Sequence, residues 1–251
     1  MTPDRHQTTR MRHDTRRRTL TVDRVETLTP TMRRIHFVSP ELHDFVSAAP
    51  DDHVKLFLPL AGGDDCMRDF TPRRVDAASG TLTIDFALHQ SGPATAWARA
   101  AQRGDTLEIG GPRGSSIVTD DFDWYLLIGD ETALPAIGRR VEELRSGVPV
   151  ITLVTVNDAA EHQEFVTSAA WTPQWLYRAG QALGDAGLIE AALSNLALPP
   201  GQGYIWIAAQ TSVARSVRRY ITERLGHPKA WLKSSGYWTE GIGAAHETIE
   251  D

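Results

Sequence analysis

The sequence contains a single cysteine, Cys66, in 251 residues. One thiol cannot form an internal disulfide and has no second thiolate with which to hold a metal ion. The sequence also lacks any run of 18 apolar residues, and no apolar segment follows the arginines near its N-terminus. Neither a membrane-spanning helix nor a secretory signal is therefore expected, and we expect a cytoplasmic protein.

Metal-binding motifs are absent as well. None of the nine histidines lies in an H-E-x-x-H pattern or another paired ligand spacing, so we assign no protein metal site. What is present is an ordinary soluble composition, with 41% hydrophobic and 23% charged residues. The length allows two domains of about 110 to 130 residues, each with its own core.

Positive charge is concentrated at the N-terminus. Residues 1–18 hold six arginines against two aspartates, a net charge of +4, which leaves −10 for the rest of a chain whose formal charge is −6. We expect a disordered basic arm over residues 1–18. Binding to nucleic acid is the alternative, but the arm has no aromatic residues and the body is acidic, so we expect no nucleic-acid partner.

The first half of the chain has the pattern of β-strands. Between Thr19 and about Gly110, apolar residues alternate with polar ones or form short runs, and turn residues separate them. One helix, near Pro93 to Ala101, interrupts the series. This pattern predicts an antiparallel Greek-key β-barrel over residues 19–120. The clearest strand signals are 35–38, 54–58, 82–86 and 106–109.

The second half has a different pattern. Short apolar runs alternate with helical segments, which is typical of βαβ units on a mainly parallel sheet. We therefore predict a Rossmann-like α/β domain over residues 121–251, with the boundary near 115 to 123. The predicted strands are 124–128, 148–156, 174–177, 204–208 and 230–233, and the predicted helices are 133–145, 185–195 and 212–225.

Arg68-Asp69-Phe70-Thr71-Pro72-Arg73 is the most informative segment. An arginine offers several donors to a phosphate or a flavin edge, an aromatic ring can lie on a ligand ring, and a threonine can bond a ring nitrogen. On a strand, Arg68 and Phe70 share one face. The segment alone also fits an ordinary edge strand.

A second segment runs from His89 to Ala98. Gly92-Pro93 predicts a tight turn into a helix with proline at its first position. The amides of such an N-terminus suit a diphosphate. An ordinary helix with Trp97 in the core explains the segment equally well.

The order of these segments resembles one family. Arg-x-aromatic-Thr, a helix start about twenty residues later and the glycine-rich loop 111–115 before an α/β domain resemble the siderophore-interacting branch of the ferredoxin-reductase-like flavoproteins. The likeness covers roughly residues 19 to 241. Further matching segments are 129–136, 157–163, 175–176 and 233–241.

The resemblance implies an FAD site. Arg68 would contact FAD, Phe70 would replace a ring-packing tyrosine, and Thr71 would face the isoalloxazine. The aromatic pair Tyr237-Trp238 would lie by the flavin and bound the substrate pocket. The residues that match the diphosphate and adenosine side are Asp85, His89, Gly92, Ala94, Thr95 and Trp97.

Two further positions depart from the family pattern. Thr239 stands where the family usually has an arginine after the aromatic pair, and Ala209-Gln210 stands where a glycine and an acidic residue are common. Both departures affect the expected preference for substrate charge.

The resemblance also implies NADH or NADPH as a transient donor. Gly129, Asp130 and Thr132 follow the first α/β strand, and Asp158 follows the second. The loop is not G-x-G-x-x-G, and Asp130 and Glu131 would repel a pyrophosphate, so we predict weak nicotinamide affinity. Asp158 could bond a ribose 2′-hydroxyl and so disfavour NADPH.

The reaction implied is reduction of Fe(III) held by a siderophore, with electrons passing through FAD. Because ferric complexes are commonly anionic, we predict Arg73 and Lys233 at the substrate pocket. No acid–base side chain is required, and so no catalytic residue is assigned. We expect a monomer, and ferredoxin is a candidate partner.

Besides a DNA-binding role for the arginine arm, two alternatives remain open. One is a flavin reductase or electron-transfer flavoprotein with a different acceptor. The other is a non-catalytic protein that binds ferric siderophores.

Overall fold

Contacts within the chain divide it into two compact units. A computed structural model describes residues 5–59, 65–88, 92–180, 183–240 and 247–249. One unit, called here the barrel unit, comprises Thr8–Val118, and the other, the α/β unit, comprises Met1–Gln7 and Thr119–Asp251.

The barrel unit is built mainly from antiparallel strands. Its helix, α1, spans Pro93–Ala100. Its strands are β1 (Thr8–Arg12), β2 (Arg17–Thr29), β3 (Met32–Val38), β4 (Val54–Pro59), β5 (Asp65–Phe70), β6 (Pro72–Asp76), β7 (Thr81–Ala87), β8 (Thr106–Gly110) and β9 (Gly114–Val118).

Seven of these strands form one sheet in the order β5-β4-β8-β2-β3-β7-β6. The two edge strands, β5 and β6, are consecutive in the chain and are separated only by Thr71. One residue cannot cross a flat sheet of this width, so the sheet curls until its edges meet. The predicted antiparallel barrel is thus confirmed.

Alternation along the strands forms the core of the barrel unit. In β4, Val54, Leu56 and Leu58 are fully buried while the residues between them are partly exposed. Side chains with this period of two fill the inside of the curled sheet. The rings of Phe37 and Phe86 are fully buried there.

The N-terminal arm is ordered, which corrects the prediction of disorder for residues 5–18. Thr8–Arg12 pairs with β9, and β2 begins at Arg17. Every residue of β1 is exposed, so backbone pairing forms this strand without any apolar alternation. The arginines at the start of β2 are paired with acids, for example Arg18 with Asp44 at 3.1 Å.

The α/β unit has a mainly parallel sheet covered by helices, as predicted. Its strands are β10 (Trp124–Asp130), β11 (Pro149–Val156), β12 (Ala170–Tyr177), β13 (Gly203–Gln210), β14 (Leu232–Trp238) and β15 (Glu247–Thr248). Its helices are α2 (Leu134–Glu143), α3 (Gly187–Asn195) and α4 (Thr211–Arg219), and a π-helical turn, Tyr220–Arg224, follows α4.

The strand order is β12-β11-β10-β13-β14-β15, and only β15 runs antiparallel. Every residue of β10 and β13 is buried, as expected for central parallel strands covered on both faces. After β10 the chain continues to β11, which pairs with one side of β10. It later returns to form β13, which pairs with the other side of β10. The carboxyl ends of β10 and β13 therefore form the switch point at which such sheets bind ligands.

Within the described ranges, none of the helices has the length and apolar character needed to cross a lipid bilayer.

Candidate functional site

Arg68 and Phe70 lie on the edge strand β5 of the barrel unit. Arg68 is opposite Leu56 and Phe70 is opposite Val54, and both partners are fully buried. Arg68 and Phe70 therefore share the core-facing side of the strand, as the period of two predicts. Both are only half-buried, and the ring of Phe70 lies 4.6 Å from that of Phe86.

Helix α1 approaches the same core ring. The Trp97 and Phe86 centroids are 5.7 Å apart, and Ala94 also packs against this core. The strand segment and the helix segment thus meet at Phe86 within one unit. Thr71 and Thr95 are both buried.

Among the described residues, no side chain caps the start of α1. Gly92 is the N-cap with φ of 135°, and Pro93 opens the first turn. A Cβ at Gly92 would meet no described atom within 4 Å. His89, which the sequence places just before this turn, lies outside the described residues.

Asp85 lies inside the barrel unit with two arginines. Both Nε and Nη2 of Arg34 donate to its carboxylate, at 2.7 and 2.8 Å. The Nε of Arg73 lies 3.8 Å away, and Arg73 is 6% exposed. Arg73 therefore differs from the predicted substrate-facing cation, because its guanidinium is buried beside an acid. Asp85 supports the barrel and has little surface with which to contact a ligand.

In the α/β unit, Asp130 ends β10 at the switch point. Its Oδ1 accepts hydrogen bonds from the amide and hydroxyl of Thr132. Its Oδ2 accepts from the backbone amide of Gln210 at 3.0 Å and from the indole N–H of Trp238 at 2.9 Å. The carboxylate is buried and joins the carboxyl ends of β10, β13 and β14.

Gly129 and Glu131 flank Asp130 and are committed to internal packing. A Cβ at Gly129 would collide with Ala133 and with the Ala208 carbonyl oxygen, so packing explains the glycine. Glu131 accepts two hydrogen bonds from Arg178, at 2.7 and 2.8 Å. Burial and the neighbouring charge of Asp130 raise the pKa of Glu131, against the opposing effect of Arg178.

Asp158 caps its own turn. Its two oxygens accept from the Ala160 amide at 2.8 Å and from the Asn157 side chain at 2.9 Å. These bonds occupy part of the acceptor capacity predicted for a ribose.

Lys233 lies at the wrong end of its strand for the predicted role. It is the second residue of β14, whereas Trp238 is the last. Five residues of parallel strand separate the two by about 17 Å. Because ligands bind at the carboxyl edge of such a sheet, the structure does not bring Lys233 to the site.

The two C-terminal aromatic residues also have different partners. Tyr237 packs edge-on against Trp206, with centroids 6.0 Å apart. Trp238 instead contacts the switch point through Asp130, and its carbonyl accepts a hydrogen bond from Thr211 at 3.0 Å. Trp238 is half-buried, so part of its ring is accessible.

A pocket of about 620 Å³ lies at the same edge of the α/β unit, between the start of α3 and one face of α4. Gln210 is 7% exposed, and its Oε1 accepts from the Ser212 and Val213 amides. Among the described residues, nothing accepts from its Nε2, which borders the pocket. Two arginines from α4, Arg215 and Arg219, also line it.

Sequence reasoning missed this pocket. Gln210 was noted only as a departure from a family pattern, and Arg215 and Arg219 were not singled out. The one available signal was their spacing of four on a predicted helix, which places both on one face. That spacing does not reveal that the loop just before α3 lines the other side of the pocket.

Comparisons with known proteins agree with this geometry. Residues 122–241 match the family model described as "Siderophore-interacting protein". Residues 21–66 and 64–116 match the model described as "Siderophore-interacting FAD-binding domain".

Individual relatives match over nearly the whole chain. The NADPH-dependent ferric-chelate reductase of Escherichia coli is 32% identical, over 91% of this chain and 95% of the relative. The crystal structure of a siderophore utilization protein from T. fusca is similar with a TM-score of 0.89 and 33% identity, covering 95% of this chain and 98% of that one. The siderophore-interacting protein SipS from Aeromonas hydrophila has a TM-score of 0.78 and 28% identity, covering 90% and 93%.

Proposed function

The chain belongs to the siderophore-interacting protein family, and we propose that it reduces ferric siderophores with electrons that pass through FAD. The convergence of β5 and α1 on Phe86 carries this proposal, since it joins a strand suited to a flavin ring with a helix start suited to a diphosphate. A relative that is described as a ferric-chelate reductase supports the reaction.

The described residues of the barrel unit fit FAD. Among the described residues no side chain caps the first turn of α1, so the Ala94 amide can donate to a diphosphate. Phe70 is fixed by a core ring and half-buried, which suits it to contact with an isoalloxazine. Arg68 has donors on the same face of the strand.

FAD, when bound, would accept two electrons as one hydride and could release them one at a time. Siderophore oxygens are hard ligands that bind Fe(III) more tightly than Fe(II), so reduction of the iron weakens the siderophore complex. The residues of this chain therefore need only bind and orient the reactants. We assign Arg68, Phe70 and Thr71 to the flavin, and Trp238 to the border of the substrate pocket.

We also propose NAD(P)H as the donor, with its phosphate-bearing part in the α3–α4 pocket. Asp130, Glu131 and Asp158 are occupied by internal bonds, and the charges of the first two disfavour a pyrophosphate. The pocket offers the Nε2 of Gln210 and the exposed guanidinium of Arg219. Its two acids, Asp185 and Glu190, accept hydrogen bonds from the Gly187 amide and the Ser216 hydroxyl. Within the described ranges, Arg219 forms no ion pair.

The protein is proposed to act in the cytoplasm as a monomer, without a nucleic-acid partner. Ferredoxin is the alternative donor. Elution volume in gel filtration tests the monomer, and replacing NAD(P)H by reduced ferredoxin tests the donor.

An anaerobic assay tests the function. The purified protein should show a flavin spectrum, lose its colour when NADH or NADPH is added, and regain it when a ferric siderophore is added. A chelator specific for Fe(II) should then gain absorbance in proportion to the ferric complex consumed.

The same assay separates the two alternatives. Reoxidation by free flavin or ferredoxin, but not by ferric siderophores, would identify a flavoprotein with a different acceptor. A colourless protein that binds ferric siderophores would identify a non-catalytic binding protein.

A further inference from the structure

Both carboxylate oxygens of Asp130 accept hydrogen bonds from residues of the α/β unit. An ionised carboxylate has about four acceptor positions, and here four donors from three residues occupy them. Asp130 therefore has no acceptor left for a ribose hydroxyl. Its charge also opposes a pyrophosphate at the switch point.

The hydrogen bond from Trp238 to Asp130 orients the indole of a half-buried residue. A buried carboxylate is a strong acceptor for an indole N–H, because the bond is charge-assisted. The Trp238 backbone is held separately, since its carbonyl accepts from Thr211. Thr211 thus fixes where the residue lies, and Asp130 fixes the direction in which the indole points.

We infer that Asp130 is a positioning residue: it holds the orientation of the Trp238 indole, the ring that the proposed function assigns to the border of the substrate pocket, and it does not bind the donor dinucleotide. This inference rests on the proposed function. Asp130 acts through Trp238 and needs no contact with substrate or flavin.

A double-mutant cycle tests the inference. The variants are Asp130→Ala, Trp238→Phe and their combination, and the measurements are kcat and KM for the ferric siderophore and for NAD(P)H. Each single change should raise the siderophore KM about tenfold, the value of one charge-assisted hydrogen bond, and change kcat by less than about twofold. The combination should be no worse than Trp238→Phe alone.

Tyr125→Phe is the matched control. It removes a buried hydroxyl that donates to Asp120 at 2.7 Å, near the opposite end of β10. It should leave the siderophore KM unchanged, because it loosens the same strand without touching Trp238. If Asp130→Ala does not fold, Asp130→Asn takes its place in the cycle, with a smaller expected effect because its amide retains one acceptor oxygen.

A spectroscopic measurement tests the hydrogen bond independently of turnover. The isotope-labelled protein should show an indole N–H resonance for each of its seven tryptophans. Loss of one resonance in Trp238→Phe assigns it, and that resonance should move in Asp130→Ala and stay in place in Tyr125→Phe.

Three outcomes would overturn the inference. The first is additive effects of the two changes on the siderophore KM. The second is a raised KM for NAD(P)H in Asp130→Ala with an unchanged siderophore KM, and the third is a Trp238 indole resonance that does not move in Asp130→Ala. Failure of the proposed function looks different. The wild-type protein would then reduce no ferric siderophore, while the indole shift would still report on the contact between Asp130 and Trp238.

Discussion

The ring of Phe70 packs against the ring of Phe86, with centroids 4.6 Å apart and planes inclined by 40°. Phe86 is fully buried in the barrel core, whereas Phe70 is half-buried at the sheet edge. The core therefore sets the position of Phe70 and leaves part of its ring accessible. This arrangement keeps ring packing without the hydroxyl of the tyrosine that the family pattern has at this position.

Replacement of Phe70 should weaken FAD binding. Phe70→Ala should raise the FAD dissociation constant about tenfold, because an aromatic contact is lost. Phe70→Tyr should bind FAD as well as the wild type does. Titration of the apoprotein with FAD, followed by flavin fluorescence, measures both constants.

Met67→Ala is the control for this experiment, since Met67 is 45% exposed on the opposite face of β5. An equal loss of affinity in Met67→Ala would show that the strand is merely sensitive to truncation.

Loss of the Asp85 carboxylate should destabilise the protein. Asp85→Asn leaves the Arg34 guanidinium without its buried counter-charge, at a cost of about 3 kcal/mol in the free energy of unfolding. Urea denaturation measures this cost.

Glu108→Gln removes the acid of an exposed pair, Arg17 with Glu108, and should cost less than about 1 kcal/mol. Similar losses in the two variants would contradict the structural role assigned to Asp85.

Stability at acid pH should depend on Asp121. Burial raises its pKa, but hydrogen bonds from the His6 amide, the Thr119 hydroxyl and the His6 ring outweigh this effect and lower the pKa from 3.8 to about 2. Because the folded pKa is the lower one, the stabilisation is present above pH 3.8 and is lost as the pH falls towards 2.

Unfolding curves between pH 6 and pH 2 should show this loss in the wild type and a smaller one in Asp121→Asn. Asp14→Asn, at an exposed aspartate, should follow the wild type. A wild-type pH profile in Asp121→Asn would show that other acids cause the loss.

Arg219 should contribute to the use of NADPH. If its guanidinium meets the extra phosphate of that donor, Arg219→Ala should raise the KM for NADPH about fivefold and that for NADH much less. Arg224→Ala, at an exposed arginine outside the pocket, should change neither.

Both dinucleotides should bind weakly in the wild type, because Asp130 and Glu131 keep the pyrophosphate away from the switch point, where such sheets bind dinucleotides, and leave it to the α3–α4 pocket. A low-micromolar dissociation constant for NADH or NADPH in a stopped-flow titration would contradict this expectation.

Much of the fold could be predicted from local patterns. Alternation in β4 and continuous apolar runs in β10 and β13 gave the correct strand types, because these patterns record how many faces of a strand are buried. β1 could not be found in this way, since all of its residues are exposed and only its pairing with β9 makes it a strand.

The site was less predictable than the fold. The sequence alone determined which residue types were available: an arginine and an aromatic ring on one strand face, a proline-led helix start and an acidic loop after β10. Only the tertiary structure decided how they are used. It buried Arg73 beside Asp85, placed Lys233 at the far end of β14 and joined Asp130 to Trp238. Local order along a chain fixes the face of a strand, but which charges become neighbours depends on strand order and burial, and these emerge only when distant segments pack.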